Sequence, residues 1–404
     1  MKILLLGSLV SQEAMEQLNN GSKVKASVAP NNYETMLANG LQENGAQVEA
    51  LSVPAVAAWP GSSFKTIKAR QERLPSGVSV QWLPFINAQF LKQWTIRHNA
   101  KKALKKWLKD NRDQQDKVVL MYSIYPPYSA PAVKLCKKYG CHLSTVIADL
   151  PEYMYSWKKS RGIKGLYAKH LSGQMMKLQT ACDSYVLFTE KMAARMGVAD
   201  KPYMVSEGFS DAGIYDAVAD TEKYETKNII YAGNLSKLYG IRELVDGFML
   251  LKGDCELHLY GAGGDAAYIR QCAEQDNRIK YFGRVSREEI LTALKKSHLI
   301  VINKPTSDDY SNYSFSSKIL ECMASGTPVL TTRVGGMPTE YYDYFRFIDD
   351  ETPAGIARAI EDAFALSDAE RTQLGECAKE FAAREKNYKA MTQKVLDFLK
   401  SQIN

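Results

Sequence analysis

The chain has 404 residues, of which 45% are hydrophobic and 24% charged, and its net charge is +7. This balance is typical of a globular protein and excludes a disordered chain, and the length favours two domains of ordinary size. The seven cysteines form no CxxC pair, which favours a reduced, cytoplasmic protein. The opening MKILLLGSLV is too short an apolar run for a signal peptide or a membrane span, so it is interpreted as a first strand.

The basic charge is concentrated in the first half of the chain. From Met1 to Ser210 there are 28 Lys and Arg against 15 Asp and Glu, a net +13, whereas the remainder has 24 against 30, a net −6. Most of the excess lies in Leu91–Arg112 and Trp157–Leu178. Large side chains among these lysines favour attraction to an anionic membrane surface: Trp94, Trp107, Trp157, Tyr167, Met175 and Met176. Solvated helix faces explain the same charge equally well, and nucleic acid is a poorer fit because no recognised motif accompanies it.

Strands and helices alternate through the first half. Strands are predicted at Lys2–Leu6, Val48–Val53, Val118–Tyr122, Leu143–Ala148 and Ser184–Phe188. Helices are predicted at Asn31–Asn44, Ile96–Lys109, Ala130–Tyr139, from Lys164 onward, and at Thr189–Met196. Pro54–Pro84 and the SIYPPYS stretch are predicted loops, and Gly7-Ser8 ends the first strand in a tight turn where a ligand could approach the backbone. The alternation predicts a parallel, doubly wound sheet.

The second half repeats this pattern after a segment without periodicity, Ser206–Lys227, which is the predicted linker. Strands are predicted at Asn228–Tyr231, Glu256–Tyr260, Ile279–Phe282 and Leu299–Ile302. Helices are predicted at Arg242–Leu251, Glu288–Lys296, Thr352–Leu366 and Ala369–Gln402, the last capped by Asp368. Because the strands stop at glycine or polar turns, a second Rossmann-like domain is expected.

The stretch Tyr310–Thr332, YSNYSFSSKILECMASGTPVLTT, predicts a loop, a short helix that stops at Gly326, and a buried strand. The serine-rich start provides N-cap hydroxyls, and the free N–H groups of the first turn then point out beside Lys318. That arrangement suits an anion, best a diphosphate. Glu321, one turn further along, could reach the hydroxyls of the sugar that carries the phosphate.

The run ECMASGTPVL with Glu321 resembles the C-terminal half of the donor-site signature of family 4 glycosyltransferases of the GT-B fold, in the branch found in bacterial capsule, exopolysaccharide and O-antigen assembly. The resemblance is strong from Lys227 to Glu351. This chain departs from the pattern at the first motif glutamate, where Tyr313 stands, and at the phosphate-binding arginine and lysine, where Asn234 and Tyr239 stand.

The resemblance implies an α/β protein with two Rossmann-like doubly wound domains facing across a cleft and a C-terminal helix crossing back to the first domain. The implied divisions are residues 1–208 for the acceptor domain, 209–226 for the linker, 227–382 for the nucleotide-sugar domain and 383–404 for the returning helix. The implied activity is retaining, metal-independent transfer of a hexose, without a cofactor, from a nucleotide diphosphate sugar, a UDP-sugar being favoured. The acceptor would be a lipid-linked saccharide or growing glycan, and the protein would lie peripherally at the inner face of the cell membrane.

Two alternatives stay open. One is a nucleotide-sugar 2-epimerase of the same fold, against which the basic, aromatic first domain argues. The other is a non-catalytic donor-binding partner in a polysaccharide assembly complex, which the departures at Tyr313 and Asn234 favour.

The candidate donor-binding residues lie at strand ends and at the start of the short helix. They are Gly7, Ser8, Gly233, Asn234, Lys237, Gly261, Gly263, Arg284, Val285, Tyr313, Ser314, Phe315, Ser316, Ser317, Lys318 and Glu321. Lys318, Lys237 and Arg284 are the cations that could replace the missing pair, because the leaving diphosphate gains negative charge. Gly261 and Gly263 are weak signals, since glycines end many strands for steric reasons. Arg284-Val285 matches the position that grips the nucleotide base.

The candidate catalytic residues are Asp149, Glu152 and Lys318. The resemblance places a histidine after a strand of the first domain, and here the matching strand leads to Asp149 and Glu152, while none of the five histidines occupies that position. Either acid could orient or deprotonate an acceptor hydroxyl, or cap the following turn. Lys318 would assist departure of the diphosphate. No metal is expected, and the pairs Asp308-Asp309 and Asp349-Asp350 are interpreted as solvated loop acids.

Overall fold

The computed structural model describes residues 1–154, 162–211, 213–215, 218 and 221–403. The chain folds as two compact units, one formed by Met1–Glu207 with Tyr388–Asn404 and the other by Gly208–Asn387. Within the described ranges, no helix combines the length and the apolar character that a membrane crossing requires.

The first unit alternates strands and helices, as predicted. Its strands are β1 (Lys2–Gly7), β2 (Gln47–Ser52), β3 (Thr66–Ile67), β4 (Arg70–Arg73), β5 (Ser79–Trp82), β6 (Phe85–Ile86), β7 (Lys117–Tyr122), β8 (His142–Ile147), β9 (Ser184–Leu187) and β10 (Tyr203–Val205). Its helices up to this point are α1 (Gln12–Asn20), α2 (Ala29–Glu43), α3 (Leu91–Asp110), α4 (Pro126–Tyr139), α5 (Pro151–Met154), α6 (Gly162–Leu178) and α7 (Lys191–Met196).

The first sheet has eight strands in the order β10-β9-β8-β7-β1-β2-β5-β4, and a separate small ladder joins β3 to β6. Neighbouring strands run parallel except β4, which is antiparallel to β5. The central strands β1 and β7 are almost wholly buried, as near-continuous apolar runs predict for strands covered on both faces. Because the strand order reverses at β1, the turns that follow β1 and β7 meet at the switch point of the sheet.

The second unit repeats the plan. Its strands are β11 (Asn228–Asn234), β12 (Glu256–Ala262), β13 (Ile279–Gly283), β14 (Leu299–Ile302), β15 (Val329–Thr332) and β16 (Phe345–Ile348). Its helices are α8 (Ile241–Leu250), α9 (Ala266–Gln275), α10 (Arg287–Lys296), α11 (Ser317–Ala324), α12 (Pro353–Ala365) and α13 (Asp368–Glu385). All six strands are parallel, in the order β13-β12-β11-β14-β15-β16.

Helix α11, which carries the predicted donor residues, is fixed by its apolar side. Ile319, Leu320 and Met323 are fully buried in a cluster that includes Phe381 of α13. This spacing of three to four residues puts all three on one helical face. The opposite side of the short helix therefore faces away from the core and presents Lys318 and Glu321.

The last helix, α14 (Tyr388–Ser401), belongs to the first unit. The C-terminal helix was predicted to cross back to the first domain. It packs on α2, where Asn44 Nδ2 donates to the Lys389 carbonyl at 2.8 Å and to Thr392 Oγ1 at 3.0 Å. The predicted single helix Ala369–Gln402 is wrong, since α13 ends before Lys386. The Lys386 carbonyl accepts from the Ser210 N–H at 2.7 Å, a long-range bond that replaces the helical one. Ser367, not Asp368, caps α13, in a capping box with Glu370.

Several further elements differ from the prediction. The SIYPPYS stretch was predicted as a turn, but α4 begins inside it at Pro126, because proline is tolerated in the first turn. The predicted loop Pro54–Pro84 contains β3, β4 and β5. Helix α1 was not predicted because only Ala14, Met15 and Leu18 are buried, too short a pattern to recognise.

Candidate functional site

In the second unit, Lys318 reaches the turn that follows β11. Its Nζ donates to the Ala232 carbonyl at 3.0 Å, and a Cβ placed on Gly233 would lie 3.3 Å from that same nitrogen. Ser316 is the N-cap of α11 and makes no side-chain capping bond, and Ser317 is the first helical residue. The exposed ammonium and the start of α11 thus lie beside a glycine turn, a combination that suits an anion.

The two glycines after β12 have a steric explanation. A Cβ at Gly261 would lie 1.9 Å from the Gly233 carbonyl oxygen, and one at Gly263 would lie 2.0 Å from the Leu235 carbonyl oxygen. Gly261 also has φ +124°, which side-chain-bearing residues rarely adopt. Both glycines are therefore required by the close approach of the turn after β11, whatever they contribute to a ligand.

Glu321 lies one turn along α11 from Lys318 and is partly exposed. Its backbone carbonyl accepts from the Tyr215 hydroxyl at 3.1 Å, and its Oε2 lies 3.6 Å from Nη2 of Arg287. Because Arg287 is more than half exposed, this ion pair contributes little stability. The carboxylate is therefore positioned but remains accessible, as contact with sugar hydroxyls would require.

The loop before α11 holds a cation that the sequence analysis did not single out. Lys304 Nζ donates to Ser314 Oγ and lies 4.3 Å from the centroid of the Tyr310 ring. Ser314 is buried and Tyr313 partly exposed, whereas Phe315 packs in the core with its ring centroid 5.1 Å from that of Tyr341. The Phe315 side chain therefore belongs to the core, and the predicted donor role of Phe315 rests on its backbone.

The remaining predicted donor residues of this unit lie on its surface. Asn234 ends β11 and is exposed, and its carbonyl accepts from the Tyr231 hydroxyl at 2.9 Å. Lys237 lines a cavity of about 510 Å³ with Asp308 and Glu351, and neither Lys318 nor Glu321 is among its lining residues. Arg284 is exposed and Val285 packs partly against the core cluster of α11.

In the first unit, the turn after β1 is already filled by protein side chains. The Ser8 N–H donates to the two Glu34 oxygens at 2.8 and 3.1 Å, and its hydroxyl donates at 2.5 Å. Asn31 accepts from the Val10 N–H at 2.9 Å, and Glu72 accepts from the Ser11 N–H at 3.1 Å. These N–H groups therefore already donate to protein side chains. At Gly7 and Ser8, which were predicted to bind the donor, the Glu34 carboxylate occupies the place that a phosphate would take.

Glu34 explains Gly7 and was missed by the sequence analysis. A Cβ at Gly7 would lie 2.0 Å from Glu34 Oε2. Glu34 is fully buried, and burial raises its pKa to about 7 despite the opposing bonds from Ser8. A signal was present, because Glu34 shares its helical face with Leu37 and Leu41, which are buried.

Asp149 lines a cavity of about 440 Å³ in the first unit, together with Ser8, Ser123 and Lys92. Ser123 follows β7 and has φ +65°, a strained conformation for a residue with a side chain, of the kind that concentrates at functional sites. Glu152 is exposed and forms an ion pair with Arg195 at 2.8 Å, and it does not line this cavity. The structure therefore separates the two candidate acids and puts only Asp149 on the cavity.

The basic surface of the first unit is partly as predicted. Trp94 is 66% exposed and Met176 is exposed, but Trp107 is 6% exposed and Met175 is buried, so the latter two cannot meet a membrane. Trp157 and the side chain of Tyr167 lie outside the described residues. Phe90 and Leu91 lie within four residues of Trp94 and are exposed. Ile86 is also exposed, and its N–H donates to Thr95 Oγ1 at 3.2 Å, while exposed Trp59 donates its N–H to the Asn87 carbonyl at 2.8 Å. We call these five residues the apolar patch.

Across the described ranges, no group of three or more His, Cys, Asp or Glu side chains could hold a metal ion. Seven cysteines are free, six of them at least partly buried.

Comparison with known proteins gives the fold and points to a class of activity. Residues 226–365, within the second unit, match the family described as "Glycosyl transferases group 1". A curated relative, the N-acetyl-alpha-D-glucosaminyl L-malate synthase of Bacillus anthracis, is 28% identical over 117 residues, which is 28% of this chain and 29% of that relative.

Three solved structures resemble nearly the whole chain. Sucrose-phosphate synthase of Thermosynechococcus elongatus has a TM-score of 0.63 at 14% identity, covering 99% of both chains. The HepE protein of Anabaena in complex with UDP has a TM-score of 0.63 at 14% identity, covering 99% of this chain and 100% of that one. A glycosyltransferase of Rickettsia africae has a TM-score of 0.64 at 15% identity, covering 100% and 98%. The protein therefore has the GT-B fold, with two Rossmann-like units, as predicted.

Proposed function

We propose that the protein is a glycosyltransferase that moves a hexose from a nucleotide diphosphate sugar, a UDP-sugar in the first instance, to a lipid-linked saccharide or growing glycan. The observation that carries the proposal is the contact of Lys318 with the turn after β11, at the start of a helix that also presents Glu321. The match of this segment to group 1 glycosyltransferases and the UDP bound by the HepE protein support it.

Each residue has a task in this mechanism. The Lys318 ammonium and the first N–H groups of α11 stabilise the diphosphate as it gains charge, and Lys304 adds positive charge nearby. Glu321 accepts hydrogen bonds from the ribose hydroxyls. Asp149 orients the acceptor hydroxyl and takes its proton. Basic side chains supply the charge neutralisation, so the reaction is metal-independent, and it proceeds with retention at the sugar.

Peripheral attachment to the inner face of the cell membrane is part of the proposal. Lys65 flanks the apolar patch, with its Nζ 5.8 Å from the Trp59 ring centroid, and two patch residues, Leu91 and Trp94, belong to the basic helix α3. Apolar side chains with flanking cations bind anionic bilayers. Flotation with phosphatidylglycerol vesicles should be lost in the Trp94→Ser variant and retained in Leu238→Ser, which removes an exposed leucine of the second unit. Equal flotation of both variants would remove the patch from the proposal.

The test of the activity is calorimetric titration with UDP, GDP and ADP, without metal and then with magnesium, followed by product analysis with the matching nucleotide sugar. We expect one nucleotide to bind without metal and a membrane extract to accept the sugar. Absence of binding by all three would overturn the proposal, whereas nucleotide binding without transfer or epimerisation of the sugar would favour the non-catalytic donor-binding partner. A C2-epimerised sugar as the product would identify the epimerase alternative. Asp149→Asn should keep nucleotide affinity and lose transfer, and full transfer would remove Asp149 as the base.

A further inference from the structure

The cavity of the first unit, beside the carboxyl ends of β1, β7 and β8, is lined mainly by apolar side chains. Val53, Val56 and Ile124 are among them. The charged side chains among its described lining residues are Lys25, Lys92 and Asp149. Since Asp149 is the one acid in that set, the lining carries an excess of positive charge, which a neutral hexose alone would leave unmatched.

Lys92 is the least usual of these groups. It lies in the first turn of α3, and burial lowers its pKa to about 8. Its Nζ donates to the Val56 carbonyl at 2.5 Å and lies 5.4 Å from the Phe85 ring centroid. Among the residues that the structure describes, it has no carboxylate partner. An ammonium carries three N–H donors, and a half-buried ammonium with one carbonyl acceptor is costly to keep charged.

The position of Lys92 on α3 adds to this field. The start of an α-helix carries partial positive charge, and Phe90 at the N-cap offers no side-chain acceptor. The N–H groups of Leu91 and Lys92 already donate to the Gln89 and Ala88 carbonyls, so the Lys92 ammonium is the group that an anionic oxygen would satisfy at the cavity. The apolar walls at the same time suit a ligand with a substantial nonpolar part.

We propose that this cavity binds an amphipathic anion, with Lys92 contacting its phosphate or carboxylate oxygens and the apolar walls contacting its nonpolar part. The inference rests on the proposed function in treating that ligand as the acceptor. It makes Lys92 a specificity-determining residue, because an uncharged glycan leaves the ammonium without a partner. Lys25, which is exposed at the rim, adds a second positive charge.

The test uses three soluble probes below their micelle concentrations at pH 7: geranyl diphosphate, octyl glucuronide and octyl glucoside. We expect at least one anionic probe to bind the full chain about tenfold or more tightly than octyl glucoside, a free-energy difference of about 1.4 kcal/mol. A preference for geranyl diphosphate alone identifies phosphate as the ligand group, and a preference for octyl glucuronide alone identifies carboxylate. Equal binding of all three probes, or binding of none, would overturn the proposal.

Variants assign the preference to Lys92. Lys92→Met should remove it, Lys92→Arg should keep it, and Lys101→Met, which removes an exposed lysine of the same helix, should leave it unchanged. A preference that survives Lys92→Met would overturn the role of Lys92. UDP titration of the same samples separates the two proposals. If the wild type prefers an anionic probe but binds no nucleotide, the proposed glycosyltransferase activity is contradicted. If it binds UDP but shows no preference for an anionic probe, only the present inference is contradicted.

A pH series on the wild type gives a second measurement without a mutation. Lys92 loses its proton as the pH rises past about 8, so the anionic preference should fall between pH 7 and 10. The other titratable side chains on the cavity are Lys25, Asp149, Tyr122, Tyr125 and Tyr128, and burial raises the pKa of Tyr122 well above its ordinary value. Lys92→Arg should show a flatter profile. A wild-type preference that is constant over this range would contradict the assignment.

Discussion

The turns after β1 and after β11 occupy equivalent places in their sheets, yet they have opposite chemistry. After β1, the N–H groups of Ser8, Val10 and Ser11 donate to side chains of the protein itself, with the Glu34 carboxylate at the centre. After β11, the approaching side chain is Lys318, whose amine contacts the Ala232 carbonyl. One turn is closed by a carboxylate, and the other presents a cation.

Glycine does not distinguish these turns. At Gly7 an added Cβ would strike Glu34, and at Gly233 it would approach the Tyr231 hydroxyl at 3.2 Å and Lys318 Nζ at 3.3 Å. Gly7 needs a small residue because of an internal acid, whereas a Cβ at Gly233 would make tight contacts with neighbours that include a cation. The doubly wound fold therefore supplies the place for an anion, while distant side chains decide whether it is used.

The largest effect is expected from Gly261→Ala, which breaks the second turn sterically. The new Cβ would lie 1.9 Å from the Gly233 carbonyl oxygen at a φ of +124°, so unfolding free energy should fall by about 3 kcal/mol or more. Gly264→Ala is the matched control, because nothing lies within 4 Å of its Cβ. The measurement is urea denaturation followed by circular dichroism, in which the midpoint for Gly261→Ala should fall below the midpoint for Gly264→Ala. Equal stability of the two variants would contradict the steric role.

The next effect concerns the first turn and depends on pH. Burial raises the Glu34 pKa from 4.5 to about 7, so the folded state holds a proton that the unfolded state releases. The stabilisation from this bound proton is complete below about pH 4.5 and is lost as the pH rises to about 7. The free energy of unfolding should fall by up to about 3 kcal/mol over this range. Glu34→Gln should therefore gain stability relative to the wild type between pH 5 and 8, measured by tryptophan fluorescence in urea. Glu13→Gln, on an exposed side chain, should show no such trend, and a flat difference for Glu34→Gln would refute the prediction.

The sequence predicted what depends on local pattern. Apolar runs gave the central strands, and serines before Ile319 and Leu320 with Gly326 behind them gave α11 with Lys318 and Glu321 on its outer side. It did not predict what depends on contacts between distant residues. The break at Lys386 accompanies the hydrogen bond from Ser210, which lies far away in sequence. The turn after β1 is filled by Glu34. An acidic residue is usually exposed, although the spacing of Glu34 with Leu37 indicated a buried position.

A smaller effect should follow from Lys318→Met, which removes the cation from the second turn. UDP affinity should fall about tenfold to a hundredfold, or about 1.4–2.7 kcal/mol, because a charge-assisted contact to phosphate is lost. Lys237→Met is the comparison, since Lys237 lines a cavity that Lys318 does not line, and it should change the affinity less. Calorimetry with UDP measures both variants. A loss in Lys237→Met that equals or exceeds the loss in Lys318→Met would transfer the phosphate role to Lys237.

The smallest effect is expected from Glu321→Gln. The carboxylate is partly exposed and its ion pair with Arg287 is long, so its loss should cost little stability. UDP affinity should fall by less than about tenfold, because a neutral amide oxygen still accepts a hydrogen bond, though more weakly than a carboxylate. The specific readout is the preference for UDP over 2′,3′-dideoxy-UDP, which should shrink in Glu321→Gln and persist in Glu288→Gln, a variant of an exposed acid on α10. An unchanged preference would mean that the second turn recognises phosphate alone, so that the difference between the two turns would rest on Lys318 without Glu321.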